Sequence, residues 1–335
     1  MHLYPLVCYL RCEVFSLGDI RVSKNAMLLF AAMAAISLSL SAQSSGWPPA
    51  QSHPTLPLWP GVAPDVPANP PAEASAHCKS GADPSKDNLT AGRPATCVDN
   101  VSVPTLTLYT PQGANTGAAV VVFPGGGYRF LAIDLEGTEV CDWLNSAGIT
   151  CVLVKYRVPN SGPYPKSSAA LQDAQRALGL VRQHAEQWHI DPNRIGVMGF
   201  SAGGYLAAAI STHFDERFYS PVDAADQLSC RPDFAVVVYP GYLTMPTQSF
   251  ASNPDIHPTG KTPPTFIVQA EDDPVHVENA VVYFMALKEA KVPAELHIYA
   301  QGGHGYGLRR TALPITAWPQ GVETWLHTIK VLPAQ

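Results

Sequence analysis

Arg194-Ile195-Gly196-Val197-Met198-Gly199-Phe200-Ser201-Ala202-Gly203-Gly204 reads as an apolar strand that runs into a Gly-x-Ser-x-Gly turn. Residues 202–212 follow at helical spacing, so the motif stands where its chemistry needs it, between a strand and a helix. The spacing has a steric reason. A sharp turn brings helix and strand together, so the residues two before and two after the serine must be small. The turn lifts the serine hydroxyl out of the sheet, and the helix start points backbone N–H groups toward it. Ser201 is therefore the candidate nucleophile.

Working outward, apolar β-branched runs occur at 118–123 (AAVVVF), 150–156 (TCVLVKY), 194–199, 235–239 (AVVVY), 265–270 (TFIVQA) and 295–299 (ELHIY). Several are apolar without a break, as expected for parallel strands covered on both faces. Helical spacing occupies 136–146, 168–188, 202–212, 277–291 and 318–329. This alternation predicts an α/β fold, with a mostly parallel central sheet and helices on both faces. Sites in such sheets form at the carboxyl ends of the strands.

The loop after 118–123 is Pro124-Gly125-Gly126-Gly127-Tyr128. Consecutive glycines leave backbone N–H groups bare, and acyl transfer needs such donors at the developing oxyanion. Gly126 and Gly127 are the candidate donors here, together with the amide after the serine, Ala202. A phosphate-cradling loop is disfavoured, because no Lys-Ser/Thr follows and no G-x-G-x-x-G is present. A triad further needs an acid and a histidine downstream. Glu271-Asp272-Asp273-Pro274-Val275-His276 follows one strand, and Gln301-Gly302-Gly303-His304-Gly305-Tyr306-Gly307 follows the next. His304, in a glycine loop, is the candidate base. Asp272 and Asp273 both follow the strand, and position alone leaves them both open. No zinc-type ligand spacing competes, and no cofactor is implied.

The order PGGGY, GFSAGG, Asp, His closely resembles the α/β-hydrolase superfamily from about residue 104 to the end. Within it, the run 123–137 (FPGGGYRFLAIDLEG), Lys155-Tyr156-Arg157 and Leu58-Trp59-Pro60-Gly61 resemble secreted bacterial esterases of the acetylxylan and feruloyl type. The resemblance implies a serine carboxylesterase that removes acetyl or other small acyl groups from a carbohydrate such as xylan, through an acyl-enzyme on Ser201. It places the acid at Asp272, since the superfamily's acid is commonly followed by x-x-Val and Val275 stands there. It implies that Tyr128 lines the acyl pocket or packs under the loop. Arg309 and Arg310 would contact a sugar or acidic group, or form a solvated face. Pro124 departs from the family, where many relatives carry His, so the loop must be supported differently. Loops 159–166 and 239–262 are expected to shape the pocket.

Two other readings share these residues. A prolyl oligopeptidase-like peptidase has the same triad but carries a large extra domain, for which the N-terminal arm is too short. A catalytically inactive binding module would typically have lost the serine, the histidine or the glycines, and all are present.

Composition narrows the partners. The 335 residues are 46% hydrophobic and 14% charged, enough for a sizeable core. The net charge of −6 leaves no basic surplus for nucleic acid. Residues 26–40 (AMLLFAAMAAISLSL), with Arg21 and Lys24 ahead and Ser41-Ala42 behind, read as a signal peptide cleaved near Ala42. The run is short for a membrane span. Residues 1–42 are thus the expected leader, 43–103 an extended Pro-rich arm without strand or helix period, and 104–335 the catalytic domain, secreted or periplasmic. Cys78 and Cys97 bracket a turn-rich loop and are expected to pair. Cys141 with Cys151 is a further possibility, and an odd count after the leader leaves at least one thiol unpaired.

Overall fold

A computed structural model describes residues 47–160 and 162–333; the leader lies outside them. Eight strands form the central sheet: β1 (Thr55–Pro57), β2 (Thr105–Tyr109), β3 (Ala119–Phe123), β4 (Thr150–Lys155), β5 (Ile195–Phe200), β6 (Ala235–Val238), β7 (Thr265–Ala270) and β8 (Ala294–Tyr299). Their spatial order is β1-β2-β4-β3-β5-β6-β7-β8. β1 and β2 pair antiparallel, and β2 pairs antiparallel with β4. All later pairings are parallel.

The apolar runs explain this order. β3, β5, β6 and β7 are buried along their whole length, so they sit in the middle with helices on both faces. β8, at the edge, is half-buried. The helices are α1 (Glu139–Ser146), α2 (Ala169–Gln183), α3 (Ala202–Ile210), α4 (Glu278–Glu289) and α5 (Trp318–Thr328). A single π-helical turn, Asp134–Thr138, leads into α1.

The arm differs from its expected form. Residues 74–77 and 96–99 pair as antiparallel strands, and residues 130–132 of the glycine-loop segment add a third. Thr55–Pro57 joins the main sheet as β1. These strands are short and lie at edges among prolines, so no alternating run marks them in the sequence. The described residues form one compact unit, arm included. Leu58 and Trp59 are buried in the main core. The Trp59 indole donates to Asp173 at 2.8 Å, and Arg157 Nε meets the same carboxylate at 2.9 Å. Thus Leu58–Gly61 and Lys155–Arg157, far apart in sequence, tie the arm to α2. Cys78–Cys97 and Cys141–Cys151 are disulfides, and Cys230 is a buried free thiol.

The register brings the loops together. Gly199 on β5 lies opposite Phe123 on β3, and Phe200 opposite Val238 on β6. Ala270 on β7 lies opposite Tyr299 on β8. Every loop with a candidate residue therefore leaves the sheet at the same end.

Candidate active site

Ser201 occupies the turn between β5 and α3 with φ +54° and ψ −116°, a strained backbone for a side-chain residue. The glycines around it are sterically required. A Cβ on Gly199 would come 1.9 Å from the Gly203 carbonyl oxygen, and one on Gly203 would come 2.0 Å from that of Phe123. The turn is pinned because the Ser201 N–H donates to the Val238 carbonyl at 3.0 Å.

The Ser201 hydroxyl lies 2.8 Å from His304 Nε2, and His304 Nδ1 lies 2.9 Å from Asp273 Oδ2. A carboxylate only accepts, so Nδ1 carries the proton and Nε2 is free to accept from the serine. The Asp273 side chain is fully buried. Its oxygens also accept from the Val275 N–H at 2.7 Å and the Gln269 amide at 3.1 Å. These bonds fix the carboxylate, which in turn fixes the ring.

This corrects the expected acid. Asp272 is exposed and does not touch the ring; its Oδ1 accepts from the N–H groups of Gly302 and Gly303 at 2.9 and 2.7 Å. Asp272 therefore shapes the histidine loop, while Asp273 holds the histidine. The x-x-Val spacing misplaced the acid by one residue, because Val275 here bonds the carboxylate only two positions before it.

On the opposite side, Gly125 presses against the serine turn, and a Cβ there would lie 2.8 Å from that of Ser201. Gly126 and Gly127 have φ of +135° and +63°. Among the described residues, no protein group accepts from their amides. Ala202 opens α3, so its N–H has no partner within the helix. Three backbone donors are thus unpaired: one directly after Ser201, and two in the loop whose Gly125 packs against the serine turn. Tyr128 is 1% exposed and lies against Tyr156, so it packs under the loop and offers no surface to a ligand. Arg309 is also corrected. It is buried, donates to the Glu139 carboxylate at 2.8 Å and to the carbonyl oxygens of Arg93 and Pro94, and so clamps the arm. Arg310 is exposed.

The support that replaces the missing histidine comes from residues the sequence reading passed over. The Glu136 carboxylate accepts from the Gly125 N–H at 2.7 Å and from the Tyr239 hydroxyl at 2.8 Å. Tyr239 accepts from the Gly307 N–H at 3.3 Å and stands edge-on to His304, 5.0 Å between ring centres. The Tyr156 hydroxyl donates to the Pro124 carbonyl at 2.6 Å. A glutamate inside an apolar run, eleven residues past the first loop glycine, was the available signal.

Burial raises the Glu136 carboxyl above its usual range, against the opposing pull of the Tyr239 hydroxyl, His304 and the Gly125 amide. Below about pH 4.3 both folded and unfolded chains hold this proton. As pH rises past that value the unfolded chain ionises first, so this group removes stability until the folded pKa is passed. Glu136→Gln has no such proton. Urea unfolding of both proteins between about pH 4 and 8 is expected to show their stability gap moving in favour of the variant as pH rises. A gap independent of pH would contradict this.

The segment 120–256 matches a family model described as alpha/beta hydrolase fold. The chain is 35% identical to the crystal structure of an acetyl ester-xyloside bifunctional hydrolase from Caldicellulosiruptor lactoaceticus. That match has a TM-score of 0.65 and covers 83% of this chain and 97% of the other. The chain belongs to the α/β-hydrolase superfamily. Within the superfamily it is 33% identical over 238 residues to an acetylxylan esterase from Xylanibacter ruminicola, a match covering 64% of this chain and 46% of that one. The chain thus spans less than half the length of that relative. It is also 26% identical over 255 residues to an ethyl acetate hydrolase from Pseudomonas putida, covering 63% of this chain and 76% of that one.

A cleft of about 800 Å³ lies between the arm, at Asp65 and Asn100, and the segment carrying Asn160, Tyr164 and Lys166. None of Ser201, Asp273 and His304 lines it. It shares a wall with the glycine loop, since the Asn160 N–H donates to the Tyr128 carbonyl at 3.0 Å. Among the described residues there is no cluster of three metal-ligating side chains, and no helix long and apolar enough to cross a membrane.

Proposed function

We propose that this α/β-hydrolase is a serine carboxylic ester hydrolase that removes acetyl groups from an acylated carbohydrate such as xylan. The observation that carries the reading is the hydrogen-bonded chain from Ser201 through His304 to Asp273, beside the bare amides of Gly126, Gly127 and Ala202. His304 takes the Ser201 proton as the hydroxyl oxygen attacks the ester carbonyl. The amides receive the oxyanion that develops, and Asp273 stabilises the imidazolium. His304 then protonates the leaving alcohol, and water repeats the sequence on the acyl-enzyme.

The acetylxylan esterase and acetyl ester-xyloside hydrolase among the relatives support the carbohydrate ester. The two disulfides support export to an oxidising compartment, as the apolar run at 26–40 also suggests. The test is acetate release from acetylated xylan, with aryl acetates and aminoacyl-proline amides alongside. Release from xylan is expected. Preference for the amides would overturn the reading in favour of a peptidase.

A further inference from the structure

Two polar side chains beside the glycine loop have no role in the chemistry above. A Cβ placed on Gly127 would have the Tyr242 hydroxyl at 3.8 Å and Arg129 Nε at 4.0 Å, so both groups stand on one side of that residue. Arg129 is exposed, and Tyr242 is 41% exposed. Among the described residues neither side chain has a hydrogen-bond or ion-pair partner, although the Tyr242 carbonyl accepts from the Asn253 amide at 2.8 Å. Among the described residues, the contact of the Arg129 guanidinium is with the Phe130 ring, 6.0 Å from its centre. Most other arginines among the described residues are bound up, as Arg157, Arg176, Arg182, Arg217 and Arg309 are. Tyr242 also holds φ +61°, an unfavourable backbone for tyrosine, between the tilted ring of Tyr128 and the edge of Tyr205.

We propose that Arg129 and Tyr242 form a recognition subsite for a carboxylate carried on the alcohol side of the ester. In an acylated glycan, that group is a uronic acid branch close to the acetyl. This rests on the ester hydrolase reading and deepens it. A polymer is too large to enter the serine turn, and Arg129 and Tyr242 stand exposed beside the glycine loop next to that turn. A guanidinium there offers paired N–H donors matched to a carboxylate, and the tyrosine hydroxyl adds a third donor. The unpaired cation also attracts an acidic branch to a chain that is otherwise net negative.

The experiment measures acetate release from an acetylated xylo-oligosaccharide bearing a glucuronic acid branch, and from the same compound with its carboxyl methylated. The acid form is expected to be preferred about fivefold in kcat/KM at low salt, the scale of a solvent-facing ion pair. The preference is expected to fade as salt rises toward about 1 M, where the screening length is near 3 Å. Arg129→Gln brings the acid-to-neutral ratio to about one, while Arg129→Lys keeps part of it. A wild-type ratio of one, or a ratio that Arg129→Gln leaves intact, overturns the subsite. If aryl acetates are cleaved but no oligosaccharide is, the xylan reading fails on its own. The subsite is then decided by the same wild-type and Arg129→Gln ratios on 3-acetoxybenzoate against its methyl ester.

Discussion

Asp273→Asn is expected to lower kcat/KM on p-nitrophenyl acetate by roughly 10³- to 10⁴-fold, about 4–5 kcal/mol of lost transition-state stabilisation. Asp272→Asn is expected to cost only a few-fold. The contrast follows from what each carboxylate touches. Asp273 is buried and holds the His304 ring at 2.9 Å. An amide there can present an N–H to the ring and select the wrong tautomer, and it brings no charge to balance the imidazolium. Asp272 accepts two backbone N–H groups at an exposed loop, and an asparagine oxygen can accept the same two. Steady-state kinetics of the two variants side by side decides the point. A larger loss at Asp272 would return the acid to the position the sequence suggested.

Ser201→Ala is expected to reduce the rate further, by about 10⁶-fold, because the members of a triad act as a unit and the oxygen that forms the acyl-enzyme is gone. The change removes one oxygen and keeps the Cβ that the turn already accommodates. The melting temperature should therefore move by only a few degrees. Activity near that of the parent protein, with the fold retained, would exclude an acyl-enzyme at this residue.

The central strands were legible because burial on both faces demands unbroken apolar runs, and such runs stand out. The turn at Ser201 was legible for a steric reason: at Gly199 and Gly203 a single Cβ would meet a carbonyl oxygen at about 2 Å, so the glycines cannot vary. β1 and the arm's paired strands at 74–77 and 96–99 were not legible. Three- and four-residue edge strands leave no alternating pattern, and what holds them is pairing with residues distant in sequence, 105–107 for β1 and 130–132 for the arm's strands. The acid was misread because adjacent aspartates at a strand end differ only in where the backbone points them, and the partners that fix Asp273, the Val275 N–H and His304, show only in the folded chain. Glu136 was passed over because a buried carboxylate is recognised by its partners, Gly125 and Tyr239, which stand 11 residues before it and 103 after it. Arg309 shows the reverse case: two consecutive arginines read alike, yet one is locked in the core and the other is exposed.

The most direct measurement is covalent labelling with a fluorophosphonate, followed by peptide mapping. The reagent forms a stable adduct only with a serine activated by its base and oxyanion donors, so it reads the whole arrangement at once. A single adduct is expected on Ser201, lost in His304→Ala. No adduct on the folded protein, or an adduct on a different serine, would contradict the account.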